Sequence, residues 1–360
     1  AAIAEQLGLM HYMEAMKAMT VLQRVAATSD ENVTVTDTEF SGVPVRLFVP
    51  RREPEGLRRA VIYFHGGGWC LGDAGVGGVD ADNLALDSQQ DLTLLLLAPG
   101  SYRLAPKHHF PAQFDDVYSV TKFFLQSKVL SQYKVDPNRV CVSGDSAGGN
   151  LAAAVAQQLP EDPEVKTKLK LQALLYPALQ TLDLNSPSYE ENKDDPLLPK
   201  ALMVRFWSEY FTRDTSLREA MASNRHVPAH AAHLLQLVNW SSLLPAEMRQ
   251  GHPYPTPSFG SPRLAEQYPG FLEVRAAPLL ASDAQLRRLP LTYLLTCGHD
   301  VLRDDGLMYA ARLRAAGVPL AHQHFQEAFH GALIFISGSG ELVVGRRLLN
   351  SYIEWLDENL

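Results

Sequence analysis

The five residues Gly144-Asp145-Ser146-Ala147-Gly148 constrain the fold of this chain more than any other stretch. The apolar run Val140-Cys141-Val142 leads into them and an alanine-rich segment starting at Asn150 leaves them, which reads as strand, sharp turn and helix. Such a turn lifts its central residue above the end of a sheet. It needs glycine on both sides because a Cβ there would meet tightly folded backbone. Ser146 is therefore the candidate nucleophile. The same Gly-x-Ser-x-Gly pattern also occurs in ordinary glycine-rich loops between strand and helix, so its meaning depends on what the rest of the chain supplies.

With 360 residues, 46% of them hydrophobic, the chain has apolar surface for one large α/β domain or two smaller ones. A net charge of −8, with no basic block, argues against nucleic acid as a partner. The longest apolar runs, such as Leu94 to Ala98, fall far short of the roughly 18 residues or more of a membrane span. The sequence starts without a methionine or a signal-like segment, so an N-terminal piece is expected to have been removed or left out. Three cysteines, Cys70, Cys141 and Cys297, are too few for a disulfide scaffold and lack metal-ligand spacing. They are compatible with one bridge and one buried thiol.

Apolar residues near helical spacing from Ile3 to Val25, methionines among them, predict an amphipathic helix that either packs in the core or forms a lip over an apolar pocket. Val33 to Thr36 and Val43 to Val49, on either side of Ser41-Gly42, predict a β-hairpin. The short apolar strand Val61 to Phe64 then runs straight into His65-Gly66-Gly67-Gly68-Trp69. Three consecutive glycines are costly in entropy. The chemical reason to keep them is a loop whose bare N–H groups face a developing oxyanion, and the alternative is a flexible turn. A strand at Leu92 to Ala98, a helix at Phe114 to Leu130, the elbow strand with its helix to Leu159, and a strand at Leu169 to Leu175 follow. Strands alternating with helices predict a parallel sheet covered on both faces. Between Gln180 and Pro290 the alternation breaks into a helical, proline-containing insertion with no strand set of its own, which reads as a cap over the substrate pocket. It resumes with a strand at Leu291 to Cys297, a helix at Asp305 to Ala316, a strand at Ala321 to Phe325 and a closing helix from Arg346 to Leu360.

A serine hydrolase needs a nucleophile, a base that takes its proton, and a carboxylate that orients the base and steadies its charge. Ser146, Asp300 and His330 occur in the order expected of an α/β hydrolase, each just after a predicted strand. Among the twelve histidines, His330 stands out because it follows the last strand, whereas His322 and His324 point along it. A metal site of His322, His324 and His330 lacks carboxylate or cysteine partners at ligand spacing. Asp300 is expected to orient the base, because Asp304 and Asp305 fall at the start of the next helix and suit its cap.

The motifs His65-Gly-Gly-Gly-Trp-Cys70, Tyr102-Arg-Leu-Ala-Pro106, Gly144-Asp-Ser-Ala-Gly-Gly-Asn150, Val301 to Tyr309 and Phe329-His-Gly331 resemble the His-Gly-Gly-Gly, hormone-sensitive-lipase-like branch of the α/β hydrolases over nearly the whole chain. The resemblance implies one domain over residues 1–360, a mostly parallel eight-stranded sheet with helices on both faces, and cap elements from about 1–31 and 181–290. It implies Ser146 as nucleophile, Asp300 as acid and His330 as base, with an oxyanion hole from the loop His65, Gly66, Gly67 and Gly68 together with Ala147. The reaction implied is hydrolysis of small acyl groups, chiefly acetyl, from aromatic amines, alcohols or lipids, with no cofactor and no metal. A neutral-lipid or cholesteryl-ester lipase of the same branch is the alternative enzyme. A ligand-binding protein that has lost its base is the alternative outside enzymes, and the presence of His330 counts against it. Proteins of the kind it most resembles are held in the endoplasmic reticulum by one N-terminal helix with the catalytic domain in the lumen. The apolar runs of this sequence are too short to be that anchor, which is expected in the N-terminal piece left out, and the stretch around Asp73 to Ser101 departs from the branch. Asn32-Val-Thr34 and Asn239-Trp-Ser241 are glycosylation acceptors by pattern and agree with a lumenal setting. Cys70 and Cys297 both follow the ends of predicted core strands and are expected to form a disulfide that ties the glycine loop to the acid loop.

Overall fold

Alternation of apolar side chains along the central strands requires cover on both sides of the sheet, and the fold supplies it with two separate layers of core. In the computed structural model, which describes residues 11–14, 16, 29, 32–72, 91–97, 101–336 and 340–360, eight strands form one sheet. They are β1 (Val33–Phe40), β2 (Val43–Pro50), β3 (Arg58–Phe64), β4 (Leu92–Leu97), β5 (Val135–Asp145), β6 (Leu171–Leu175), β7 (Leu291–His299) and β8 (Leu320–Phe329). Their order is β1-β2-β4-β3-β5-β6-β7-β8. The β1–β2 hairpin pairs antiparallel to the rest, and every pairing from β4 to β8 is parallel.

Ala60, Ile62 and Phe64 of β3 point into one layer of core, and Val61 and Tyr63 into the other. The first layer is closed by the helices Ala112–Phe124, Ala147–Gln158 and Arg303–Ala315 and by the insertion between β6 and β7. The second is closed by the C-terminal helix Val343–Asn359 through Leu348, Leu349, Tyr352, Ile353 and Leu356. The helix leaving the elbow lies close against the sheet because its inner residues are small. A Cβ at Gly148 would run into the carbonyl oxygens of Phe64 and His65.

The expected helix at Phe114 to Leu130 is two helices, Ala112–Phe124 and Ser127–Gln132, broken at Leu125-Gln126. Most of the expected N-terminal helix and of the cap element at 1–31 lies outside the described residues, of which Tyr12 to Glu14 and Met16 are helical. The unusual stretch from Asp73 lies outside them up to Gln90, as do residues 98–100. Residues 181–290, between β6 and β7, hold helices, among them Pro187–Glu191, Lys200–Phe211 and Thr215–Ala222. Tyr210 stacks on Trp69 with ring centroids 4.4 Å apart and Trp207 meets it tilted at 4.3 Å, which seats this insertion directly on the glycine loop.

The expected bridge between Cys70 and Cys297 does not form: the three cysteines are buried thiols with no disulfide among them. Two strands, β5 and β6, separate β3 from β7, which places their ends about 14 Å apart at the usual strand spacing, twice the reach of a disulfide. The two side chains also face different layers, Cys70 the helical insertion and Cys297 the C-terminal helix. Order along the chain suggests that both residues follow strand ends, but Cys297 lies inside β7, paired with Phe325, and order does not tell which face a side chain takes.

Candidate active site

Ser146 sits where β5 turns into its helix, with φ 54° and ψ −118°, a backbone state that side chains rarely adopt. Its N–H donates to the Leu175 carbonyl at 2.9 Å, and the first N–H of the helix, that of Ala147, has no acceptor inside the helix. Ser146 Oγ lies 2.9 Å from His330 Nε2, and His330 Nδ1 lies 2.9 Å from Asp300 Oδ2. In the neutral imidazole that suits both contacts, Nδ1–H donates to Asp300 and Nε2 accepts the serine proton. The other oxygen of Asp300 accepts the Leu302 N–H at 2.8 Å, which fixes the carboxylate at the end of β7. Asp300 is 1% exposed, and Ser146 and His330 are each 8% exposed, so their charges are little screened by water.

Burial pulls the His330 pKa down. The charge and hydrogen bond of Asp300 outweigh it, Asp145 and Asp195 add to them, and the imidazole ends above its ordinary value. The ring edge also meets Tyr176 at 5.0 Å between centroids. His322 and His324 lie elsewhere. Thr296 Oγ1 is 2.9 Å from a ring nitrogen of each, and burial first of all takes His322 down to about 4. Among the described residues no group of histidine, cysteine and carboxylate side chains gathers as a metal would need.

The glycine loop divides its work. Gly66 N–H donates to Asp145 Oδ1 at 2.9 Å, so it is turned away from the serine and does not join an oxyanion hole. Gly67 and Gly68 have φ of 106° and 59°, and with Gly66 engaged their N–H groups are the remaining glycine donors of the loop, alongside that of Ala147 on the elbow helix. Gly67 O accepts from Cys70 N–H and Leu71 N–H, which closes the turn. His65 contributes a ring, with Nδ1 2.7 Å from Gly66 O, Nε2 2.6 Å from Ser101 O, and Tyr102 stacked 4.9 Å away. It holds the loop and offers no donor to substrate through that ring.

Asp145, unassigned by sequence reasoning, is the hinge of this arrangement. Its Oδ1 accepts from both Gly66 N–H and Tyr63 O–H, and burial outweighs these bonds to push its pKa up to about 7. A strand tyrosine one residue before Phe64 was the available signal, since a buried phenol needs a partner. Asp304 and Asp305 do not cap their own helix, whose cap position is Leu302. Both are buried: Asp304 accepts from Ser188 N–H at 2.7 Å, and Asp305 from Leu179 N–H at 2.9 Å and the Gln180 side-chain amide at 3.0 Å. They tie the insertion to the sheet. Of the two sequons, Asn32 is exposed at the start of β1, and Asn239 is half-buried, its Oδ1 accepting from Ser241 N–H and Oγ–H.

A sheet of this order, with a serine on its elbow, a base and a carboxylate at the next strand ends and bare N–H groups alongside, is that of a serine hydrolase acting on carboxylic esters. Comparison with known proteins agrees. The family model described as alpha/beta hydrolase fold matches residues 61–237 and 240–334. The chain is 56% identical to the arylacetamide deacetylase of Oryctolagus cuniculus over 360 residues, covering 100% of this chain and 89% of that one. It is 46% identical to neutral cholesterol ester hydrolase 1 of Pongo abelii over 359 residues, covering 98% and 87%. Among solved structures, the hyperthermophilic esterase from the archaeon Pyrobaculum calidifontis superimposes with a TM-score of 0.65 at 23% identity, covering 99% of this chain and 92% of that one, a likeness of fold. The chain belongs to the alpha/beta hydrolase fold family.

Proposed function

We propose that this ester hydrolase removes short acyl groups, chiefly acetyl, from arylamides and from esters of alcohols and lipids, with Ser146, His330 and Asp300 as its reacting set. The observation that carries the reading is the unbroken hydrogen-bonded line from Asp300 through His330 to Ser146 on a strained elbow. Ser146 Oγ attacks the acyl carbonyl while His330 Nε2 takes its proton, and the N–H groups of Gly67, Gly68 and Ala147 receive the oxyanion. The imidazolium, steadied by Asp300, gives that proton to the departing amine or alkoxide. Water then attacks the acyl-serine with His330 again as base, releasing the acid. The arylamide preference is supported by the relatives named arylacetamide deacetylase, at 52% to 56% identity over the full chain. A second reading, a lipase acting on cholesteryl or other neutral-lipid esters, is supported by the relatives named neutral cholesterol ester hydrolase 1. Initial rates on 4′-nitroacetanilide, p-nitrophenyl acetate and p-nitrophenyl palmitate separate them. The first reading expects both acetyl substrates to be cleaved with kcat/KM above that of the palmitate, and the reverse order favours the lipase.

The insertion between β6 and β7 acts in this reading as the cap that shapes the acyl and amine pockets. The same proposal places the domain in the lumen of the endoplasmic reticulum, attached through a segment N-terminal to residue 1 and glycosylated at Asn32 and Asn239. Its support is the two sequons. Among the described residues no helix is long and apolar enough to cross a membrane. A mobility shift on endoglycosidase treatment of protein from mammalian cells, lost stepwise in Asn32→Gln and Asn239→Gln, is the expected result. No shift in the parent overturns the placement.

A further inference from the structure

The reacting residues stand on loops at strand ends, and the loop that carries Asp300 adds to its local bonds a set of polar contacts from a segment 108 to 116 residues upstream. That segment is the short helix Pro187–Glu191 of the insertion with the residue that follows it, Asn192. Ser188 Oγ–H donates to the Val301 carbonyl at 2.7 Å. Asn192 Nδ2 donates to the Asp300 carbonyl at 3.2 Å and is held by the Ser188 carbonyl at 3.1 Å. Asp304 N–H donates to Ser188 Oγ at 3.3 Å, and the Arg303 guanidinium reaches Glu191 at 2.6 Å. Pairing between β7 and β8 ends at His299, and from there the Asp300 carbonyl accepts both the Arg303 N–H of its own turn, at 3.1 Å, and the Asn192 amide, while the Val301 carbonyl accepts from Ser188.

We propose that Ser188 and Asn192 are positioning residues of the reaction: by holding the Val301 and Asp300 carbonyls they aim the Asp300 carboxylate and, through it, the His330 ring. The inference rests on the reading of Ser146, His330 and Asp300 given above. Ser188, Asp300, Val301 and Asp304 are buried, so no water replaces the Ser188 bonds when they are lost, and Asn192 is half-buried beside them. A carboxylate swung by even an ångström or so loses the line to Nδ1, and misplacement on that scale costs up to about a hundredfold in rate. The insertion thus grips the reacting set at two places, with this strap on the acid loop and with Phe206 against Gly68 on the oxyanion loop.

A strap that merely stabilised the fold would change how much enzyme survives, not how each surviving site works. The readout is therefore kcat per active site, counted by stoichiometric labelling with diethyl p-nitrophenyl phosphate, and its dependence on pH. The groups that face His330 are Asp300 after β7, Ser146 at the elbow, Tyr176 after β6, Asp145 on β5 and Asp195 in the loop beyond the strap. All of them stay in Asn192→Leu, which keeps the branching and heavy-atom count of the side chain and removes the N–H donors, and in Ser188→Ala. With p-nitrophenyl acetate, kcat per site is expected to fall about ten- to a hundredfold in Asn192→Leu and less in Ser188→Ala, with KM unchanged. The acid limb of the profile is expected to move to lower pH in both, because a misaimed Asp300 no longer holds the imidazole pKa up. Asn192→Gln, which keeps an amide on a longer arm, is expected to recover part of the loss. Glu190→Gln, on the same short helix as Ser188, weakens a surface contact to Lys200 of the helix Lys200–Phe211 and is expected to change neither quantity. Parent values of kcat per site and of the acid limb in both Asn192→Leu and Ser188→Ala overturn the proposal, whatever happens to their melting temperatures. A parent enzyme that is not labelled at Ser146 overturns the reading of the reacting set and the positioning role with it.

Discussion

At the scale of single residues, the site works because buried ionisable groups are held in opposed states. His330 must be neutral to take a proton from Ser146, and its pKa is raised, so activity is expected to rise with pH along an acid limb above the ordinary imidazole value of about 6.5. Asp300→Asn removes the charge that raises it. That variant is expected to lose about four powers of ten in kcat and to carry its acid limb at lower pH, as initial rates across the pH range would show. Asp145 is the reverse case. The folded protein holds its proton up to about pH 7, whereas the unfolded chain releases it near the ordinary carboxylate value, so this group withdraws stability as pH rises between the two. Asn in its place keeps an oxygen for both Gly66 and Tyr63 and cannot ionise. Asp145→Asn is therefore expected to retain most activity and to gain resistance to urea over the parent that is larger at about pH 8 than at about pH 5. Asp145→Ala, which leaves the Gly66 N–H without its acceptor, is expected to lose activity at both. Of these residues, the three at strand ends were legible from chain order. Asp145 was not, because its partners Tyr63 and Gly66 meet it only once β3 and β5 lie side by side.

At the scale of elements, the decisive contact is between the insertion and the glycine loop. A Cβ on Gly68 would overlap the Phe206 ring, and its φ of 59° disfavours a side chain in any case. Gly68→Ala is expected to push one oxyanion donor out of place and cost about a hundredfold in kcat. Adding Phe206→Ala opens the space, and the double variant is expected to regain a measurable part of the loss, which a double-mutant cycle on kcat would resolve. No recovery would assign the whole cost to backbone strain. The hairpin, the parallel strands and the break in alternation after β6 were all legible, since each rests on local pattern. What was misread depends on tertiary choice. Asp304 and Asp305 look like cap residues by position, yet they turn inward to Ser188, Leu179 and Gln180 of the insertion. Ser188 and Asn192 carried no signal at all, because their partners Val301 and Asp300 lie across the fold.

At the scale of the whole molecule, the sheet separates two layers of core, and that separation decides the fate of the cysteines. Cys70 belongs to the layer under the insertion, and Cys141 and Cys297 to the layer under the C-terminal helix. Burial pushes the Cys141 and Cys297 thiols up, so they are poor nucleophiles as well as inaccessible ones. Thiol titration of the protein unfolded without reductant is expected to find all three, and the native protein is expected to react slowly. Two missing thiols would restore the bridge. The central claim, however, is chemical: one serine on the elbow carries the acyl group. Labelling with diethyl p-nitrophenyl phosphate, digestion with trypsin and mass spectrometry of the peptide from Val140 to Lys166 test it most directly. The account expects a single phosphoryl adduct on Ser146 that accumulates in step with loss of ester hydrolysis. Complete inhibition with the adduct on any other residue would contradict it.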